Sequence, residues 1–429
     1  MNQVEERTLP PPELEVKEVQ VTPPLPSGGM LHSLQSYPAF RLLMQGTLAS
    51  NSAFWAYQVA VGWLALQLTD SPMFVGLAGF AGGIPLLIFS IPAGVVIDRF
   101  DRKMVLLAGQ IGVAIVSAVY ALLVGFDLIE RWSLLLLVVV YGTIMSFVFP
   151  ARTAIVPSLV ARHDLANGVA LNSAVQNATR VVGPSMAGIL IAVTGLAATF
   201  LVATVLQAVA LMTTWRLPKI PPDVSARITS GWASMTLGFR LVSRDPFLIA
   251  LMILALAPTV LVMPYINLMP VFARDELKLG ATGLGVLMAS VGLGTVAGAL
   301  AVAYSAALRS WSTAQLVMAL GFTISVLLFS ITPVVPLAVL LLFICGSTSA
   351  VFLAINQTAL QLKVDDSVRG RVVSIYQLTW GMLPIGQLAL GTVADAIGTP
   401  IAMVISCVLS LGCIAWIAVR FPSLRSAWA

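Results

Sequence analysis

The stretch TPIAMVISCVLSLGCIAWIAV, residues 399–419, has 21 residues and no charged side chain. About 20 apolar residues let an α-helix cross the hydrocarbon core of a bilayer. Similar stretches recur along the chain, which is 59% apolar and 10% charged and has a mean hydropathy of +0.96. A soluble domain carries roughly 25% charged residues. We therefore predict an all-α integral membrane protein and exclude an ordinary soluble one.

Apolar spans separated by short polar breaks follow one another from Phe40 onward. We predict twelve transmembrane helices of about 20 residues or more, at 42–67, 72–96, 103–126, 133–157, 168–194, 197–215, 246–269, 281–305, 313–331, 336–359, 371–395 and 399–419. The predicted units are a disordered cytoplasmic tail (1–38), a six-helix bundle (39–215), a cytoplasmic linker with an interfacial helix (216–245), a second six-helix bundle (246–420) and a cytoplasmic C-terminus (421–429).

The distribution of Lys and Arg predicts the orientation. With both termini in the cytoplasm, the outside loops hold only Arg131, Arg274 and Lys278, whereas 16 basic residues lie inside near the spans. This bias agrees with the positive-inside rule. It also explains the net charge of +5 without a nucleic-acid partner. The three cysteines lie in apolar runs, so we expect no disulfide.

The two halves of the sequence repeat weakly. Pro184, Gly188 and Gly195 recur as Pro384, Gly391 and Gly398, displaced by 200 to 203 residues. A duplication of six plus six helices, with a substrate site between the halves, is typical of transporters. The only histidines are one in the tail and one in a loop. We therefore predict no enzyme activity, no metal and no bound cofactor.

The loop after the second span reads GVVIDRFDRK, residues 94–103. It resembles the Gly-x-x-x-Asp-Arg-x-Gly-Arg-Arg/Lys signature of the major facilitator superfamily, with Asp101 in place of glycine. The DRFDR form resembles the enterobactin-exporter and macrolide-efflux branch, of transmembrane secretion effector type. Three further segments are similar to that branch: LTDSP at 68–72, PAR at 150–152 and LANGVALNS at 165–173. The resemblance implies a major facilitator fold of two six-helix bundles and proton-driven export.

Two sets of residues are predicted to control gating. At the cytoplasmic end, Asp98 beside basic side chains indicates a charge network that clamps the two bundles in one conformation; the alternative is that these charges only end the helix. The predicted members are Gly94, Asp98, Arg99, Arg102, Lys103 and Arg152. On the fifth span, Gly183 and Pro184 resemble the family's antiporter motif. They indicate close packing, or close packing that also serves as a hinge.

Polar residues within the spans are the candidate substrate contacts, because intramembrane polar groups normally face a cavity. They recur at helical spacing on three spans, and the alternative is hydrogen bonding between helices. The predicted set is Asn51, Trp55, Gln58, Asn172, Gln176, Arg180, Gln377 and Trp380. Arg180 lies about 18 Å into its span at 1.5 Å per residue. We find no acidic residue at that depth in any span.

These patterns favour a secondary-active exporter of amphiphilic small molecules in a bacterial plasma membrane, working as a monomer among membrane lipids. An ion gradient, taken to be of protons, supplies the energy. Since no carboxylate lies at mid-depth, protons are handled by Asp70, Asp98, Asp395 or the substrate. The alternatives are a lipid or lysolipid flippase, and a receptor or scaffold on the same fold.

Overall fold

A computed structural model of the chain describes residues 31–221, 231–304, 311–364 and 366–421. Every regular element in these ranges is helical. We call residues 31–221 the first half and residues 231–421 the second half. The helices of the first half are α1 (His32–Ser36), α2 (Pro38–Thr69), α3 (Pro72–Arg99), α4 (Arg102–Gly125), α5 (Arg131–Leu159) and α6 (Leu165–Trp215), with a 3₁₀ turn at Arg162–Asp164.

The second half contains nine helices in its described ranges and one π-helical turn, Phe272–Glu276. The helices are α7 (Gly231–Arg244), α8 (Pro246–Leu261), α9 (Tyr265–Val271), α10 (Gly280–Tyr304), α11 (Trp311–Ile331), α12 (Val335–Lys363), α13 (Asp366–Gly381), α14 (Leu383–Ile397) and α15 (Thr399–Arg420).

Nine helices in the described part of the chain are long and apolar enough to cross a membrane. One of them, Asn167–Trp215, has 49 residues, which is about twice the length that one crossing needs. The first and eleventh predicted spans correspond to α2 and to the pair α13–α14, which are not among the nine. The all-helical membrane architecture is thus confirmed, and the number of twelve crossings stays a prediction.

Local sequence signals explain where several helices begin. Ser71 precedes Pro72 and accepts a hydrogen bond from the backbone N–H of Phe74, so it caps α3. Asp101 caps α4 in the same way, through the N–H groups of Lys103 and Met104. Such side chains satisfy backbone N–H groups that the first helical turn leaves without partners. Each reversal of the chain therefore needs only a few residues.

Two glycines divide helices at equivalent places in the two halves. Gly195 has φ 83° and ψ 175°, and α6 has no other described residue with non-helical backbone angles. Gly398, with φ 90° and ψ 145°, separates α14 from α15. These two residues are paired by the sequence repeat, so the repeat is visible in the backbone. Pro184, the predicted hinge, lies within continuous helix in this conformation.

Two predicted spans are continuous in sequence but broken in the structure. The span 246–269 divides between α8 and α9, and Pro264 stands directly before α9. The span 371–395 divides at Met382, and Pro384 stands in the first turn of α14. Proline cannot donate the backbone hydrogen bond of a helix interior, which explains why the breaks lie beside these residues.

The predicted tail boundary at residue 38 is wrong, because α1 packs on the first half. The hydroxyl of Tyr37 donates a 2.8 Å hydrogen bond to Asp164, whose side chain is 3% exposed. This bond raises the pKa of the Tyr37 hydroxyl. The rings of His32 and His163, the only histidines of the chain, lie 3.4 and 3.3 Å from the same carboxylate. The chain is therefore ordered onto the bundle from the residues just before α2.

The other predicted units agree with the helices in part. The linker 216–245 contains α7, so its predicted helix is present. Residues 1–30, 222–230 and 422–429, which include most of the predicted tail and C-terminus, lie outside the described residues.

The positive φ angles of the two dividing glycines lead to a stability prediction. A Cβ atom at Gly195 or Gly398 meets no atom within 4 Å, and the same holds at Gly412, inside α15. Only the backbone angles differ, so Gly195→Ala and Gly398→Ala should each lower stability by about 1–3 kcal/mol through strain. Gly412→Ala should be neutral or stabilising by roughly 0.5–1 kcal/mol. Thermal unfolding in detergent measures all three, and equal effects at the three sites would contradict this explanation.

Candidate functional site

Arg180 lies deep in the first half without a charged partner. Protein atoms surround its guanidinium on most sides, yet the side chain remains exposed. The guanidinium is therefore accessible even though many protein atoms lie close to it. Among the described residues it has no hydrogen bond or ion pair. Gln176, one turn earlier on α6, is half-buried, and Asn172 is 6% exposed with an Oδ1 atom that finds no hydrogen-bond partner in the described chain.

Trp55 and Gly183 join α2 to α6 one turn beyond Arg180. A Cβ atom at Gly183 would lie against the Cβ atom of Trp55 and 3.1 Å from the carbonyl oxygen of Ser52. Only glycine permits this approach of the two helices. Trp55 is half-buried, and Gln58, further along α2, is exposed. The structure thus brings two of the three predicted substrate-contacting helices together.

Arg152 is engaged inside the first half and belongs to no Asp98 network, so that part of the prediction is wrong. Its Nη1 donates a 2.6 Å hydrogen bond to Oδ1 of Asn51, and its Nη2 donates one of 2.6 Å to Oγ of Ser50. Arg152 is 4% exposed and Asn51 is 6% exposed. The two hydrogen bonds explain how a buried cation is tolerated. They also occupy Asn51, which was predicted to bind substrate.

The helix ends on either side of the α3–α4 loop present the remaining charged gating residues in two different ways. Asp98 and Arg99 are exposed and form no hydrogen bond or ion pair within the described ranges. Lys103 instead donates hydrogen bonds of 2.7 and 2.5 Å to the carbonyl oxygens of Trp215 and Leu217, at the end of α6. A cation at a helix C-terminus is favourable. Lys103 therefore ties this loop to its own half.

Two other predicted gating residues lie in the helices beside this loop, Gly94 in α3 and Arg102 at the start of α4. Arg102 donates a 3.2 Å hydrogen bond to the carbonyl oxygen of Ala154 on α5. Gly94 has no atom within 4 Å of an added Cβ, so this conformation sets no steric requirement for glycine there.

The third predicted polar stripe lies on α13 and α14. Trp380 is half-buried, and the next residue, Gly381, packs against the side chain of Leu87 on α3. For Gln377 the structure describes the backbone, not the side chain. Gln387 donates a 3.0 Å hydrogen bond to Asn267 within the second half.

The predicted set did not include a sealed contact between the halves. A Cβ atom at Gly76 would lie 3.0 Å from Cα of Gly391, and one at Gly83 would collide with Pro384. Gly188 on α6 similarly meets Gly285 on α10. The pairs Gly76–Gly391 and Gly188–Gly285 lie near turns that are predicted to face the outside, and Gly83–Pro384 lies deeper along α3. The halves therefore meet tightly from that end toward the middle of the membrane. The sequence signal for this contact is the spacing of Gly76, Gly79 and Gly83 on α3, because small residues let helices approach closely.

The family model for transmembrane secretion effectors matches residues 32–428 of the chain. The chain belongs to the transmembrane secretion effector family. It is 24% identical over 353 residues to the staphyloferrin A transporter of Staphylococcus aureus, covering 80% of this chain and 86% of that one. It is 29% identical over 353 residues to the enterobactin exporter EntS of Shigella boydii serotype 4, covering 81% and 82%.

The predicted major facilitator fold is confirmed for this transmembrane secretion effector. The crystal structure of nucleoside transporter NupG superposes with a TM-score of 0.72 at 12% identity, covering 89% of this chain and 99% of that one. At this identity the likeness concerns the fold alone.

A cavity of about 370 Å³ in this transmembrane secretion effector was not predicted from the sequence. It lies beside the break at Gly195, and both halves contribute to its wall. Lining residues include Trp63, Gln67, Leu196, Leu279 and Thr282. None of the predicted substrate residues lines it. Within the described ranges, no group of three or more His, Cys, Asp or Glu side chains is arranged to hold a metal ion.

The geometry around Arg152 leads to a stability prediction. Lysine keeps the charge but cannot reproduce the planar fork that reaches Ser50 and Asn51 together. Arg152→Lys should therefore lower the free energy of unfolding by about 1.5–3 kcal/mol, the usual contribution of a hydrogen bond to a charged group. Arg99→Lys, at an exposed arginine without partners, is the matched control. Thermal unfolding of both variants in detergent tests the prediction, and an unchanged Arg152→Lys protein would show that the fork is dispensable.

Proposed function

We propose that this protein is a secondary-active exporter of amphiphilic small molecules that are neutral to anionic. The observation that supports this most directly is Arg180, an exposed guanidinium within a predicted span that has no partner among the described residues. Membership of the secretion effector family supports transport, and the function of one relative, an enterobactin exporter, supports the outward direction.

The argument for an anionic group on the substrate starts from the surroundings of Arg180. A lone cation in a transmembrane segment is costly, so such residues face a water-filled cavity or pair with another group. Arg152 pairs with Asn51 and Ser50, whereas Arg180 has no comparable partners. We therefore place it in an aqueous space between the halves, where a carboxylate or catecholate of a siderophore-like substrate can pair with it. Macrolide- or drug-like substrates fit only if they carry no net positive charge at that point.

Aromatic stacking completes the proposed site. Trp55 lies on α2, next to the glycine that follows Arg180 by one turn. An aromatic ring offers a flat apolar surface to an amphiphile, while its polar edge can bond to substrate or water. We propose that the substrate stacks on Trp55 or Trp380 and contacts Arg180, with Gln58 and Gln176 as polar neighbours.

Alternating access of the two halves is the proposed mechanism. The glycine contacts of α3 and α6 with the second half support a state closed toward the predicted outside. Asp98, exposed and without a hydrogen bond or ion pair to any described residue, supports a state in which it does not clamp the predicted cytoplasmic end. We propose that Asp98 engages in the opposite state. Cytoplasmic termini, a monomeric state and a bacterial plasma membrane belong to the same proposal.

We propose that transport is coupled to protons, although no carboxylate lies near the middle of a predicted span. The acidic residues available near the ends of the spans are Asp70, Asp98 and Asp395. An ionisable substrate can also carry the proton itself. A pH gradient across vesicles distinguishes coupled from uncoupled transport.

Two other functions are considered. A lipid or lysolipid flippase would share the fold, and a receptor or scaffold would use it without transport. A cation without a partner among the described residues favours a transporter over a scaffold, because a scaffold has no use for it.

The main test measures transport in inside-out vesicles with anionic, neutral and cationic amphiphiles, with and without a pH gradient. Arg180→Gln should weaken binding of anionic substrates about tenfold to a hundredfold, since a hydrogen bond to a charged group contributes about 1.5–3 kcal/mol. Arg162→Gln, at an exposed loop arginine, is the control and should transport normally. Faster export of a lipophilic cation by the intact protein, with Arg180→Gln indifferent to every anion, would overturn the substrate assignment.

A second test concerns Asp98. Asp98→Asn should reduce transport while the protein stays folded and inserted, because the span is unchanged and only the charge is lost. Asp127→Asn, an exposed acid on another loop, should leave transport unchanged. Normal flux in Asp98→Asn at equal expression would remove its gating role, and a receptor or scaffold would show no flux in any variant.

A further inference from the structure

The turn between α2 and α3 is held by the second half on both of its sides. Asp70 and Ser71 form this turn, between the last residue of α2 and the first of α3. Arg274, in the π-helical turn, contacts the α2 side. Asp395, near the end of α14, contacts the α3 side.

On the α2 side, Arg274 acts as a cation at a helix C-terminus. Its Nη1 donates a 2.8 Å hydrogen bond to Oδ1 of Asp70 and a 3.2 Å hydrogen bond to the carbonyl oxygen of Leu66. Asp275 orients the same guanidinium, since it accepts a 2.7 Å hydrogen bond from Nε. Positive charge at this end of a helix is stabilising.

On the α3 side, Asp395 acts as an anion at a helix N-terminus. Its Oδ1 accepts a 2.6 Å hydrogen bond from Oγ of Ser71 and a 3.3 Å hydrogen bond from the backbone N–H of Met73. Ser71 is the N-cap of α3 and accepts from the N–H of Phe74 at the same time. The second half thus supplies part of the capping of a first-half helix.

These contacts are concentrated at one place. Among hydrogen bonds between described residues, the four that join the two halves all involve the segment from Leu66 to Met73. Behind this segment, Gly76 and Gly83 on α3 lie against Gly391 and Pro384. The charged contacts therefore lie at one end of a closely packed interface between α3 and α14.

We propose that Asp395 and Arg274, clamping the α2–α3 turn, form a latch that holds the two halves closed at the predicted outer end and sets how readily that end opens. The latch rests on the proposed transport function, since it has a role only if the halves separate. When the outer end opens, Arg274 leaves the C-terminus of α2, Asp395 leaves the N-terminus of α3, and water takes their places. Weakening either contact therefore shifts the equilibrium toward the open state.

The test measures a distance across the outer end without any substrate. Spin labels are placed at Trp132→Cys and Val334→Cys, which are exposed beside two outer turns in different halves, after Cys345, Cys407 and Cys413 have been replaced by alanine. Pulsed electron paramagnetic resonance then gives the distance distribution in lipid nanodiscs. The variants are Asp395→Asn, Asp395→Glu, Arg274→Gln and Asp70→Asn.

We expect a second population at longer distance in Asp395→Asn, with the open-to-closed ratio raised about tenfold, as expected when a charge-assisted cap is lost. Asp395→Glu should restore most of the closed population because the charge is retained. Arg274→Gln should also open the end. Asp70→Asn should do so less, since Asp70 is 79% exposed and its pairing is screened by water.

Asp127→Asn is the matched control, because it removes an exposed outer-end carboxylate that has no contact with the second half in the described structure. It should reproduce the parent distance distribution. The latch would be overturned if Asp395→Asn and the double variant Asp395→Asn/Arg274→Gln both showed the parent distance distribution. Size-exclusion chromatography checks that both variants are folded. Because no substrate is used, that result leaves the transport proposal standing, and absence of transport leaves the latch measurement valid.

Discussion

The absence of water from the hydrocarbon core governs this molecule. Each polar group in the membrane must find a partner within the protein or an aqueous space of its own. The backbone meets this requirement by being helical. The side chains meet it in two ways, which the two arginines of the spans illustrate. Arg152 is buried and satisfied by Asn51 and Ser50, whereas Arg180 is exposed and has no partner among the described residues.

The contact between the halves follows from the same constraint. Apolar side chains gain little from meeting each other in lipid, so helices associate through close packing of small residues. Gly76, Gly83 and Gly188 allow this approach toward one end. Among the described residues, the charged contacts between the halves lie at the α2–α3 turn, where helix ends offer partial charges. A sealed interface with a polar rim can separate without leaving an unpaired charge in lipid.

The repeat relates the two halves in backbone geometry more than in side-chain chemistry. Gly195 and Gly398 share the same unusual angles and the same place between two helices. The polar residues differ: Arg180 on α6 is a cation in the first half, whereas the corresponding stripe of the second half carries amides and a tryptophan. Duplication preserved the turns that any such bundle needs. The two halves therefore differ in charge at related positions.

The sequence by itself determined the membrane class, the position of most helices and the break at residue 195, because hydropathy, helix caps and glycine act locally. It also identified Arg180, because the position of each charged residue along its span can be counted from the sequence, and no acidic residue lies at the same depth. Only the tertiary structure decided that Arg152 binds Asn51 rather than Asp98, that His32 and His163 meet at Asp164, and that Arg274 and Asp395 clamp the α2–α3 turn. These pairs are separated by about a hundred residues or more, except for His163 and Asp164, and partner choice among them depends on which helix faces which.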